Sequence, residues 1–174
     1  GGTFTSRINM NLREDKHWSY GTRSDVIESR GPQIWFASGG VQIDKTGPAL
    51  QELKNEWQAF ADTKPLTQDE FEKARERRVR QLPGFYETNS DLLQALSKNV
   101  RLRRPDNYLA EESAQQAQLD LTKVRQQALV LKPDHPVWLV VGDKEKILPQ
   151  LKALNWGDVI ELSKDGAKVQ DPAQ

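Results

Sequence analysis

Residue types that commonly carry hydrolytic chemistry are scarce in this 174-residue chain. It has no cysteine, which removes disulfides, thiolate nucleophiles and thiolate metal sites together. Its two histidines, His17 and His135, lie far apart, and neither has a second histidine at helical spacing. Because a catalytic zinc needs three protein ligands and an open position, the sequence predicts no metal site here. An all-carboxylate site stays an alternative, although no Asp or Glu cluster has metal-loop spacing.

Other catalytic signatures are also missing from the sequence. There is no Gly-Lys-Ser/Thr phosphate loop and no Gly-x-Gly-x-x-Gly dinucleotide loop. A Ser-His-Asp triad is not excluded by residue type, but the chain lacks the Gly-x-Ser-x-Gly elbow that would expose a serine nucleophile. A small α/β hydrolase is therefore disfavoured.

The charge balance argues against nucleic-acid or membrane-surface binding. Lys+Arg and Asp+Glu both total 25, so the formal net charge is zero. The arginines of the segment 75–80 share their predicted helix with Glu70, Glu72 and Glu76, and opposite charges three or four residues apart form ordinary surface pairs. No apolar run approaches the length of a membrane span.

The segment with the most chemical information contains Arg13 and Tyr20, seven residues apart. Phe4, Ile8 and Leu12 recur at spacing four, which predicts a helix capped by Thr3 or Thr5 that fades near Lys16. Alternation from Trp18 onward predicts a strand, and a second strand at 33–38 predicts an antiparallel pair with a bulge at 39–40. From the residues alone, Arg13 is a surface cation and Tyr20 a half-buried sheet residue.

The rest of the chain predicts an α+β fold with a mostly antiparallel sheet packed on one side by several helices. Apolar faces and capping residues predict helices after Thr46, Thr67, Thr88, Thr122 and Asp143. Apolar runs predict strands at 137–141 and 159–162. We expect one domain over 1–163, truncated at its N-terminus, and a loose tail over 164–174.

The first helix and strand resemble a known signature. Ser6-Arg7-Ile8, Leu12-Arg13-Glu14 and Tyr20 are similar to the Ser-Arg-Leu, Leu-Arg-Glu and Tyr pattern in the metal-free half of the pitrilysin/insulinase family of zinc metallopeptidases. Weaker matches follow in the same order as in the family, at 31–41, 66–74, 121–124 and 140–143. His17 departs from the pattern, since the family often has glycine there.

The resemblance implies a role in peptide hydrolysis that this chain does not perform alone. In the family, two similar halves close around an extended peptide, and the other half carries the zinc and a glutamate base. Tyr20 would donate its phenol to the scissile carbonyl or its oxyanion, and Arg13 would bind a substrate carbonyl nearby. The implied partners are a zinc-bearing homologous domain or subunit and a peptide substrate. The bacterial periplasm is favoured over the cytoplasm, and a non-catalytic structural or assembly domain of the same fold is the alternative function.

Overall fold

The computed structural model describes residues 1–81, 83–131 and 136–169. Helix α1 (Arg7–Asn9) continues without a break as a π-helix (Met10–Asp15), and an antiparallel hairpin of β1 (Ser19–Ile27) and β2 (Ile34–Val41) follows. The remaining α-helices are α2 (Thr46–Ala61), α3 (Gln68–Gln81), α4 (Asn89–Leu102), α5 (Tyr108–Ala117), α6 (Leu121–Ala128) and α7 (Lys144–Leu154). The α+β prediction is confirmed, although the sheet within the described residues has two strands.

The first helix is held by a small apolar core. Ile8 and Leu12 are 8% and 2% exposed and pack with Ala49 of α2. Half-buried apolar side chains of the neighbouring elements close this core, namely Trp18, Val41 and Leu53. Phe4, predicted on the same face, is instead 62% exposed because it lies in the turn before α1 begins. The N-cap is Ser6, whose side chain makes no capping hydrogen bond, so the predicted threonine cap is wrong.

An ion pair joins the start of α1 to the start of α3. The predicted capping box is confirmed: the Thr67 hydroxyl accepts from the Glu70 N–H at 3.2 Å and donates to the Glu70 carboxylate at 3.0 Å. Arg7 binds both oxygens of that carboxylate at 2.6 Å and also donates to the carbonyl of Lys64. Because the Arg7 guanidinium stabilises the carboxylate, the pKa of Glu70 falls from 4.5 to about 2.

This ion pair predicts a pH-dependent contribution to stability. A carboxyl group whose folded pKa is depressed stabilises the fold above its unfolded pKa and loses that contribution as pH falls toward its folded pKa. Glu70→Gln should therefore lower the free energy of unfolding at pH 7 by up to about 1 kcal/mol, the range for solvent-accessible pairs. The difference from wild type should shrink between pH 4.5 and pH 2. Urea unfolding at several pH values measures both effects.

Glu72→Gln is the matched control, because Glu72 lies on the same helix and accepts a hydrogen bond only from Gln68 among described residues. A Glu70→Gln difference that stays constant from pH 7 to pH 2 would contradict the assignment of this pH dependence to the Arg7 pair.

Helix α4 presents its apolar stripe to solvent, which differs from the prediction. Its predicted capping box of Thr88 and Asp91 is confirmed. The side chains predicted to face inward are 44%, 50% and 76% exposed, and they are Leu92, Leu96 and Val100. Polar contacts at the C-terminal end orient the helix instead, because Arg104 binds Glu28 at 2.8 Å and Arg30 donates to the carbonyl of Arg101.

In α3 as well, apolar spacing predicted the burial of some side chains correctly and of others wrongly. Phe71 is buried as predicted, at 6% exposed, and Val79 is 51% exposed. The first turn of α3 carries the Arg7–Glu70 contact with α1, whereas Val79 lies two turns later, on a part of the helix whose contacts are polar. Leu82, also predicted to face inward, lies outside the described residues.

The two predicted C-terminal strands do not form ladders within the described part of the chain. Residues 137–141 are assigned no strand and alternate in exposure, with Val137, Leu139 and Val141 at 94%, 77% and 91%. Trp138 points the other way and lies 6.4 Å from Trp57 and 4.9 Å from Trp156 between ring centroids. The run is therefore anchored by one tryptophan, and no described strand pairs with it.

The described residues after α7 form a small turn. Asp143 caps α7 through the Glu145 N–H at 3.1 Å, as predicted. Helix α6 begins at Leu121, one residue before the predicted start at Thr122, and Asp120 is its N-cap. The predicted strand at 159–162 is reduced to one bridge between Leu162 and Lys168. Because of this bridge, Lys168 of the predicted tail pairs with Leu162. Residues 170–174 of the predicted tail lie outside the described residues.

Candidate functional site

Arg13 lies on the π-helical part of the first helix. The wider turn is visible in the hydrogen bond from the Lys16 N–H to the carbonyl of Asn11, five residues back, at 3.1 Å. Such π-helical insertions are frequent at functional sites. The guanidinium lies 3.9 Å from the ring centroid of Phe4, its Nε is 3.6 Å from Glu14, and the side chain is 32% exposed. Arg13 is therefore held by a cation–π contact and remains accessible.

The turn between helix and strand is made by His17, whose φ is +56°. A left-handed backbone costs a non-glycine residue about 1–2 kcal/mol. Two bonds offset part of that strain: His17 Nδ1 lies 3.0 Å from the carbonyl of Arg13, and the Gln42 side chain donates to the His17 carbonyl at 3.1 Å. The Trp18 N–H donates to the Leu12 carbonyl at 2.9 Å. Strand β1 is thus tied directly to the helix that carries Arg13.

Tyr20 is the extra residue of a β-bulge. Ser19 lies opposite Val41 and Gly21 lies opposite Gly40, which leaves Tyr20 without a partner on β2. Its side chain is 101% exposed, and its hydroxyl bonds to no described residue. The half-buried position expected from the residues alone is wrong, because the bulge removes Tyr20 from the strand alternation. Bulges are enriched beside active sites, where they redirect a side chain.

Two buried polar side chains hold this bulge, and sequence reasoning missed both. The Ser19 hydroxyl donates to the Gly40 carbonyl at 2.7 Å and accepts from the Gly21 N–H at 3.1 Å. The Asn9 side chain accepts from the N–H of Thr22 at 2.6 Å and from its hydroxyl at 3.0 Å. An asparagine among apolar helix positions was the one available signal for this contact. Asn9 and Ser19 fix the start of β1 against α1.

An open depression of about 530 Å³ runs along the hairpin next to Tyr20. We call it the hairpin groove, and its lining residues are Gly21, Thr22, Arg23, Ser38, Gly39 and Gly40. A side chain at Gly39 would place Cβ 2.5 Å from the Thr22 methyl, so this position requires glycine. A Cβ at Gly40 would meet nothing within 4 Å.

A metal site is not formed by the described residues. No group of three or more His, Cys, Asp or Glu side chains within them could bind a metal ion. His17 is exposed at the end of the first helix, and His135 lies outside the described residues. The donor set of this part of the chain therefore does not fit a catalytic zinc.

Arginines of α3 have polar partners, and one of them forms an ion pair of the predicted kind within the helix. Arg80 binds Glu76 four residues earlier at 3.0 Å, and Arg78 lies 3.4 Å from Glu112 of α5. Arg77 donates to the carbonyl of Gly2. These contacts are those of an ordinary solvated helix face. Within the described ranges, no helix combines the length and apolarity that crossing a bilayer requires.

Comparisons with known proteins show a family match over part of the chain and a similar fold. Residues 1–78 match the family described as the peptidase M16 inactive domain. No curated protein matches the chain. A crystal structure of a peptidase M16 inactive domain from Pseudomonas fluorescens has a similar fold, with a TM-score of 0.65 and 18% sequence identity. That match covers 75% of this chain and 31% of the other, so this chain spans less than a third of that structure.

Proposed function

We propose that this chain is the metal-free half of a zinc metalloendopeptidase of the pitrilysin/insulinase (M16) family, because residues 1–78 match the inactive domain of peptidase M16. In this role it closes a substrate chamber opposite a homologous zinc-bearing domain or subunit. The matched segment contains both Arg13 and Tyr20 together with the elements that position them.

The observation that carries the proposal is the placement of these two residues on irregular backbone. Arg13 lies on a π-helix and Tyr20 on a β-bulge, and the Leu12–Trp18 hydrogen bond joins the two elements. The π-helix departs from regular helical hydrogen bonding and the bulge from regular strand pairing, and both leave a polar side chain accessible to solvent. Both kinds of irregular backbone are frequent at functional sites.

The proposed chemistry of Tyr20 is donation to the oxygen of the scissile carbonyl. When the partner's zinc and base activate water, negative charge develops on that oxygen in the transition state. A phenol held at that point donates a hydrogen bond that strengthens as the charge develops. The absence of any described hydrogen bond to the Tyr20 hydroxyl leaves it available for this role.

Arg13 is proposed to bind a substrate carbonyl next to the scissile bond. Guanidinium is charged at any working pH and carries its donors in a rigid planar fork. The Phe4 ring beneath it limits the conformations of the side chain without neutralising its charge. Arg13 would thereby fix the register of the peptide relative to Tyr20.

Substitution of Arg13 in the complete enzyme, with both halves present, tests this function. Arg13→Ala should raise KM about 10- to 100-fold, the range for a lost hydrogen bond to a charged group, with a smaller change in kcat. Arg13→Lys should recover part of the loss, because lysine keeps the charge but lacks the fork. Steady-state kinetics on a fluorogenic peptide measure both constants.

Arg80→Lys is the control, since Arg80 is exposed on α3 and pairs only with Glu76 among described residues. If Arg13→Ala folds normally and leaves KM and kcat unchanged, the peptidase role of this chain is wrong, and a structural or assembly domain of the same fold is the function to pursue.

A further inference from the structure

The hairpin groove has the features of a peptide subsite. Three of its six lining residues are glycines, so much of its floor is backbone that an extended ligand chain can approach closely. It begins at Gly21, directly after Tyr20.

The charge in the groove comes from Arg23. This side chain is exposed on β1, opposite Ser38 of β2, and its guanidinium makes no ion pair or hydrogen bond with another described residue. The other arginines of the hairpin region differ, since Arg13 lies on Phe4 and Arg30 donates to the Arg101 carbonyl. An uncompensated guanidinium beside a hydroxyl favours a carboxylate ligand.

The lining of the groove is also fixed in shape. The Asn9 side chain bonds to Thr22, and the Ser19 hydroxyl bonds to Gly21 and Gly40. Because both Asn9 and Ser19 are buried, the walls nearest Tyr20 are pre-organised. Pre-organisation lowers the entropic cost of binding an extended chain.

From this placement we propose that the hairpin groove binds the segment of an extended peptide substrate adjoining the scissile bond, and that Arg23 selects an acidic side chain in that segment. The inference rests on the proposed function, because the location of the scissile bond is taken from the proposed hydrogen bond between Tyr20 and the scissile carbonyl. It adds a specificity-determining residue, Arg23, to the two residues proposed to bind the reacting group.

The charge preference is tested with the complete two-half enzyme and matched peptides that differ by Glu, Gln or Lys at one position at a time. Wild-type enzyme should cleave the Glu peptide with the highest kcat/KM at one position near the scissile bond. Arg23→Gln should reduce that preference roughly fivefold to tenfold. Arg23→Glu should reverse it in favour of the Lys peptide. A preference that Arg23→Glu leaves unchanged overturns the assignment.

The location of the subsite is tested with Gly40→Val. The fold has room for this side chain, which would fill the groove, so kcat/KM should fall by about tenfold or more for all peptides. Gly31→Val is the control, because a Cβ there also meets nothing within 4 Å and Gly31 lies in the turn at the other end of the hairpin.

The substitutions distinguish a failure of the proposed function from a failure of the proposed subsite. If Tyr20→Phe impairs catalysis but Gly40→Val folds and cleaves like wild type, the groove is not a subsite and the proposed function stands. If neither substitution has an effect, both proposals are overturned.

Discussion

Replacing Tyr20 by Phe in the complete enzyme should lower kcat by about 10²- to 10³-fold, the usual loss when one oxyanion donor is removed. KM should change little, because the hydrogen bond strengthens as charge develops on the carbonyl oxygen and contributes less to the ground state. The substitution removes a single oxygen atom from a side chain that is 101% exposed. Single-turnover kinetics on a peptide substrate isolate the chemical step.

The control for this loss is Tyr86→Phe, which removes the same atom from a tyrosine that is 39% exposed and follows α3. Since the Tyr20 hydroxyl bonds to no described residue, the free energy of unfolding should be unchanged in both variants. A Tyr20→Phe enzyme with wild-type kcat and intact folding would remove Tyr20 from the reaction.

Leu12→Ala should lower the free energy of unfolding by about 2–5 kcal/mol, the range for truncating a buried leucine. Leu12 is 2% exposed, the lowest value among the buried apolar residues that the structure describes, and it packs with Ile8 and Ala49. The loss is a large fraction of the stability of a typical domain. Urea unfolding followed by tryptophan fluorescence measures it, and Trp18 packs against this same core.

Leu93→Ala provides the matched comparison, because Leu93 is 65% exposed on α4 and its truncation should change stability by no more than about 0.5 kcal/mol. Equal effects of the two substitutions would show that the packing of Ile8, Leu12 and Ala49 is not what holds the first helix in place.

Features fixed by short-range chemistry were predictable from the sequence. The capping boxes at Thr67 and Thr88 and the Asp143 cap each depend on residues two or three positions apart, and all three form. The order of helix, strand and strand around Arg13 and Tyr20 was predictable for the same reason, since apolar spacing and alternation are local signals.

Features fixed by long-range contacts were not predictable. The bulge lies at Tyr20 on β1 and not at the predicted 39–40 on β2, where both glycines are paired. Its position depends on a Ser19 hydroxyl bond to a carbonyl 21 residues away, and the start of β1 is held by Asn9 from 13 residues away. Periodicity identifies the apolar stripe of α4, and the continuous apolar run 137–141 predicts a strand, but neither signal gives information about whether another element covers these residues. The helix–strand spacing of the candidate site was therefore readable, while its backbone irregularities needed coordinates.

The bulge also separates the chemical role of a side chain from its role in sheet packing, two roles that fall on the same residue in a regular strand. A residue inside a regular ladder contributes to one face of the sheet, so changing it alters the packing of that face. Tyr20 lies outside the paired positions, with Ser19 and Gly21 holding the alignment on either side. The identity of residue 20 can therefore vary without shifting the pairing of the hairpin, and selection can adjust its chemistry independently of folding.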